Sequence, residues 1–229
     1  MSSLLTLVEI KNQIQELCRQ KKQSSASVKI LAVSKLQSNE RINVLLNQGQ
    51  LDFGENYVQE FKEKHDAFLE KSIQWHLIGH LQKNKVKTVV GRCHLIHSVD
   101  SVELAQEINK RAASASLRQK ILLQVNVAGE NSKEGFNPEV LRAEIKNIFL
   151  LPQVEILGLM TMPPFVENPE DNRVYFRNLR TLLKIFQSEN GEHPSFCELS
   201  MGTSQDYQVA IEEGATWIRL GSTLFGPRL

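Results

Sequence analysis

Eight short apolar runs, each separated from the next by a stretch with helical spacing, constrain this chain more than any other feature. They read VKILAVS, LDFGE, IQWHLIG, HLIHSV, KILLQVNV, VEILGLMTM, FCELS and TWIRLG. Strands that alternate with helices pair parallel, because parallel neighbours need a crossover connection. Eight such units in 229 residues fit one (β/α)8 barrel of the TIM type. The competing architecture is an open doubly wound sheet, which usually has fewer strands; no G-x-G-x-x-G follows the first run. No linker or composition shift marks a second domain, so residues 1–229 are expected to form a single barrel domain.

The segments between the runs carry their own signals. Leu4, Leu7, Val8, Lys11, Ile14, Leu17 and Cys18 predict an extra amphipathic N-terminal helix. It can cover the barrel where the last strand leaves no room for a following helix. KKQSSAS then reads as a loop. Gly49 closes the next helix as a C′ glycine. Tyr57, Val58, Phe61, Phe68 and Leu69 form the apolar face of another. Asp100 and Glu103 stand at capping-box spacing, and Asn168-Pro169 is an N-cap followed by proline. Tyr175, Leu179, Leu182, Leu183 and Phe186 make a long stripe, and Ser204 is expected to cap the last long helical stretch.

The formal net charge of +1 gives no global field for nucleic acid or a membrane surface. No run approaches 18 apolar residues, and the N-terminus lacks a basic start followed by an apolar core. Cys18, Cys93 and Cys197 are odd in number and far apart, which fits free thiols in a reducing cytoplasm. A cytoplasmic monomer is the expectation. His76, His80, His94 and His97 fall on different elements without a ligand motif, so no metal is expected. Lys83, Lys85 and Lys87 read as a solvated helix face.

In a parallel barrel, functional groups collect at the C-terminal strand ends. Lys35 ends the first run abruptly. It reads either as a desolvated amine able to attack an aldehyde or as a lysine reaching from a strand end to water. ELSMGTSQD places Ser200, Gly202, Thr203 and Ser204 before a helix, and RLGSTLFG supplies Gly221 and Ser222. Glycine–hydroxyl turns after strands seven and eight suit a phosphate. Arg219 sits within the last apolar strand and needs a partner: a structural ion pair, or the ring nitrogen of a bound pyridine. An amine for an aldehyde, turns for a phosphate and a charged partner for a ring nitrogen are what pyridoxal phosphate requires.

The ordered series AVSK, FGENYVQE, WHLIGHLQKNK, HSVD, QVNVAGENSKEGF, GLMTMPP, ELSMGTSQD and IRLGSTLFG resembles the pyridoxal phosphate homeostasis protein family. That family's barrel is related to the N-terminal domain of bacterial alanine racemases. The resemblance implies an internal aldimine between Lys35 and pyridoxal 5′-phosphate. It implies phosphate contacts from Ser200, Thr203, Gly221 and Ser222, and Arg219 opposite the pyridine nitrogen. Asn56, in the matching GENY segment, is a further site candidate. The implied role is non-catalytic, buffering the cofactor and delivering it to apo pyridoxal-dependent enzymes. Two alternatives stand beside it: a pyridoxal-dependent racemase, disfavoured by the lack of a second domain, and a lysine Schiff-base aldolase or cofactor-free isomerase.

Overall fold

The computed structural model describes residues 6–20, 28–130, 134–191 and 193–226. Eight parallel strands close into a barrel in sequence order, β8 returning to pair with β1. They are β1 (Lys29–Val33), β2 (Asp52–Glu55), β3 (Gln74–Leu77), β4 (Leu95–Val99), β5 (Gln119–Gln124), β6 (Val154–Met160), β7 (Glu198–Thr203) and β8 (Trp217–Leu220). Each forms on one of the eight apolar runs, and β7 continues past Ser200 to Thr203.

The helices are α1 (Leu7–Gln20), α2 (Asn39–Asn47), α3 (Val58–Ala67), α4 (Val86–Val89), α5 (Val102–Ser114), α6 (Pro138–Phe149), α7 (Arg173–Glu189), α8 (Tyr207–Glu212) and α9 (Ser222–Phe225). One follows every strand, from α2 after β1 to α9 after β8, so α1 is the extra element. It packs beside α8, where the Tyr207 hydroxyl donates to Gln13 Oε1 at 2.8 Å. The single turn of α9 leaves that side of the barrel for α1 to cover. Among the described residues, no helix is long and apolar enough to cross a membrane.

Alternation of side chains along each strand splits the core in two. Outside the strands, Phe53, Phe61, Trp75, Phe176, Phe186 and Phe196 pack between sheet and helices. Inside, Leu31, Ile78, Leu95, Leu122, Met160 and Trp217 form a separate cluster. Full burial of such side chains stabilises by about 1.5–3 kcal/mol each.

Several local expectations are corrected. Leu4 and the KKQSSAS loop lie outside the described residues. The buried stripe of α1 is Leu7, Ile10, Ile14 and Cys18, while Val8 is 63% exposed, because it sits about 100° around the helix from Leu7. On α3, Tyr57 and Leu69 are exposed and Phe61 and Phe68 carry the burial. The cap of α5 is Ser101, which accepts from the Leu104 N–H at 3.3 Å. Asp100 turns instead toward His80. Ser204 does not cap α8, whose N-cap position is Asp206.

Two glycines shape the barrel mouth. A Cβ on Gly79 would lie 2.2 Å from the Asn56 carbonyl oxygen, so only glycine lets the loops after β2 and β3 approach this closely. Gly202 has φ +88°, and a Cβ there would lie 2.5 Å from Ala210 Cβ. Its absence seats α8 against the end of β7.

Candidate functional site

A cavity of about 380 Å³ opens at the C-terminal strand ends, within the span usual for small-ligand sites. Lys35, Asn56, Thr203, Arg219, Gly221 and Ser222 all line it, and Ser204 joins them. These residues come from the ends of β1, β2, β7 and β8, so barrel closure is what brings them together.

Lys35 is half-buried in the turn that ends β1. The next residue, Leu36, has φ +60°, a conformation that a side chain with a Cβ rarely adopts. Its N–H donates to Glu60 Oε1 at 2.6 Å. Lys64 Nζ ties that carboxylate to the strand, meeting Glu60 Oε1 at 2.7 Å, Glu55 Oε1 at 2.9 Å and the Ser34 carbonyl at 2.6 Å. Ser34 Oγ donates to Glu55 Oε1 at 2.6 Å. The residues on both sides of Lys35 are therefore fixed by one buried ionic network. Burial pushes the Glu55 carboxyl above its usual range, with Lys64 opposing the shift.

The two hydroxyl turns are bonded to each other. Ser204 Oγ accepts from the N–H groups of Gly221 at 3.0 Å and Thr223 at 3.2 Å. Thr203 donates to Asp206 Oδ1 from its N–H at 2.6 Å and from its hydroxyl at 2.9 Å. Asn172 Nδ2 holds the other oxygen of Asp206 at 2.8 Å. Asp206 and Ser204 organise this corner, and neither role was read from the sequence. The usable signal was the Asp three residues beyond Thr203, a short-range capping spacing.

Ser200 does not line the cavity. Because β7 runs on to Thr203, Ser200 is a mid-strand residue, fully buried inside the barrel. Its Oγ accepts from Arg219 Nη1 at 2.9 Å and meets His97 Nδ1 at 2.8 Å.

Arg219 is 2% exposed, yet it lines the cavity floor. Nη2 donates to the Thr161 carbonyl at 2.8 Å and contacts Met162 Sδ at 3.7 Å. Its Nε–H is buried without a partner, as is Asn56 Oδ1. Burial lowers the guanidinium to about 10, and Asp206 works in the other direction. Lys35 and Arg219 are the only ionisable side chains lining the cavity among the described residues.

His80 meets Asp100 Oδ2 and Glu134 Oε1, each at 3.3 Å, in a group of two exposed residues and one half-buried one whose atoms are close enough to share a metal ion. The sequence reading did not foresee that grouping.

Residues 6–228 match the family described as alanine racemase, N-terminal domain. A pyridoxal phosphate homeostasis protein of Aquifex aeolicus is 44% identical over 228 residues, spanning 100% of this chain and 99% of its own. The chain belongs to the pyridoxal phosphate homeostasis protein family. PipY of Synechococcus elongatus, solved with PLP bound, superposes with a TM-score of 0.82 at 36% identity. That alignment covers 93% of this chain and 99% of PipY. An alanine racemase of Clostridium difficile superposes with a TM-score of 0.74 at 17% identity, over 95% of this chain but 55% of its own. That is a likeness of fold alone. For a member of the pyridoxal phosphate homeostasis protein family, the cavity has a coherent donor set. Its lining carries the Lys35 amine, the hydroxyls of Ser204 and Ser222, and the Arg219 guanidinium.

Proposed function

We propose that this protein binds pyridoxal 5′-phosphate at the barrel mouth, holds it covalently on Lys35, and buffers or delivers it without catalytic turnover. The observation that carries this reading is the buried, unpartnered Nε–H of Arg219 in the floor of a cavity that Lys35 also lines. A buried donor without a partner costs about 1–3 kcal/mol, and a ring nitrogen acceptor relieves that cost.

When bound, pyridoxal phosphate supplies an aldehyde and a conjugated ring able to withdraw electrons. The Lys35 amine would hold the cofactor at its aldehyde. Thr203, Ser204, Gly221 and Ser222 would line the phosphate, the N–H groups of Thr203 and Gly221 being already bonded to Asp206 and Ser204, and Asn56 lines the same cavity. Arg219 would face the ring nitrogen, where its positive charge would disfavour protonation of that nitrogen. Such a placement of Arg219 would favour storage over turnover.

The lining supports the same choice. Among the described residues, no carboxylate, imidazole, phenol or thiol reaches the cavity to move a proton at a substrate carbon. Two free buried thiols, Cys18 and Cys93, and exposed Cys197 accord with a reducing, cytoplasmic setting for a monomeric carrier that supplies apo pyridoxal-dependent enzymes. The competing racemase reading is tested by incubating the loaded protein with either enantiomer of alanine. No sustained interconversion is expected, and continued turnover overturns the storage role.

A further inference from the structure

A line of polar side chains runs through the apolar interior of the barrel, from Arg219 at the cavity to Asp52 at the opposite end. Arg219 Nη1 meets Ser200 Oγ at 2.9 Å, and Ser200 Oγ meets His97 Nδ1 at 2.8 Å. His97 Nε2 meets His76 Nδ1 at 2.9 Å, and His76 Nε2 meets Asp52 Oδ1 at 3.1 Å. Ser200, His97 and His76 are completely buried, while the Asp52 side chain is 29% exposed. The rings sit against Trp217, with the His76 centroid 4.8 Å from the indole.

Only one arrangement of protons satisfies these contacts with both imidazoles neutral. A carboxylate only accepts, so His76 must carry its proton on Nε2. Its Nδ1 is then an acceptor, which requires the proton of His97 on Nε2. The Nδ1 of His97 accepts in turn, so the Ser200 hydroxyl donates to it. The oxygen of Ser200 is left to accept from Arg219, which can only donate. Every hydrogen bond points the same way, from the guanidinium to the carboxylate. Burial keeps both imidazoles below their ordinary range. His97 is held well below it, chiefly by burial, with the charge of Arg219 adding to the effect.

We infer that His97, His76 and Asp52 are positioning residues for Arg219, a one-way hydrogen-bond chain that brings the Asp52 charge to bear on the guanidinium from the far end of the barrel. Aligned bonds polarise one another, so a carboxylate at the end strengthens Ser200 as an acceptor. With Nη1 claimed by Ser200 and Nη2 by the Thr161 carbonyl, the Nε–H is the guanidinium position left without a protein partner. The last link, to the ring nitrogen of pyridoxal phosphate, rests on the function proposed above; the direction of the chain does not.

The test has two arms. Nitrogen-15 NMR of the imidazoles, recorded before any cofactor is added, is expected to show His76 and His97 neutral at pH 7.5 with protons on Nε2. A proton on Nδ1 of either ring, or a cationic ring, overturns the chain. The second arm uses Asp52→Asn, which keeps an acceptor at a half-exposed site outside the cavity but removes the charge and adds a donor. It is expected to mix the tautomers, weaken pyridoxal phosphate binding about 3- to 10-fold and shift the pH profile of the bound cofactor's absorbance. Wild-type affinity, tautomers and absorbance in Asp52→Asn overturn the coupling alone. Wild-type protein that takes up no pyridoxal phosphate overturns the cofactor reading and the last link with it.

Discussion

Arg219 Nη1 donates to Ser200 Oγ at 2.9 Å, so a serine expected to contact phosphate instead holds the cation beside the cavity. The same guanidinium reaches the Thr161 carbonyl and leaves Nε without a partner. Arg219 is thus held through both terminal nitrogens, with its Nε–H buried and unpaired.

Replacing it with an apolar residue of similar length isolates that role. Arg219→Met removes a charge-assisted donor, worth about 1.5–3 kcal/mol. Affinity for pyridoxal phosphate should fall about 10- to 150-fold, measured by absorbance titration. An unchanged affinity contradicts the placement of Arg219 against the ring nitrogen.

The network behind Lys35 is a stability element as well as a positioning one. Lys64→Met would leave the Glu55 carboxylate, whose side chain has 0% exposure, without its cation. Breaking such a buried pair costs about 3–5 kcal/mol. The double variant Glu55→Gln with Lys64→Met should recover much of that loss in urea denaturation. If the single variant is as stable as wild type, the network does not hold the turn.

Acid should destabilise the barrel through its buried histidines. The folded-state values of His76 and His97 lie below the ordinary 6.5, so below that pH the unfolded chain binds protons that the folded one excludes. Their contribution is fully present above 6.5 and is lost as the pH falls toward the folded values. Each histidine can take away up to about 1.4 kcal/mol per pH unit in that window. The urea midpoint should drop steadily between pH 7 and pH 5, and a flat profile would contradict neutral burial.

The barrel was legible because its signal repeats: eight apolar runs with helical stretches between them leave few topologies. Lys35 was legible as a strand end, and Arg219 as a charge in an apolar strand. Ser200 was not, because a run of small hydroxyl residues carries no mark of where strand becomes turn. β7 ends at Thr203, and that difference decides which residues face the interior. The histidines were weighed only as metal ligands, since their mutual contacts join β3 to β4, elements whose pairing register the sequence does not state. Glu60 and Lys64, one turn apart on α3, are an ordinary helix pair in sequence; only the barrel brings Glu55 and Leu36 to them.

The proposed function depends on the Lys35 amine holding pyridoxal phosphate covalently. Protein saturated with pyridoxal phosphate should show a long-wavelength absorption band that borohydride abolishes. Mass mapping should then find the reduced adduct on the Lys35 peptide, and Lys35→Ala should yield neither band nor adduct. An adduct on another lysine, or an unchanged band in Lys35→Ala at wild-type occupancy, would contradict the account.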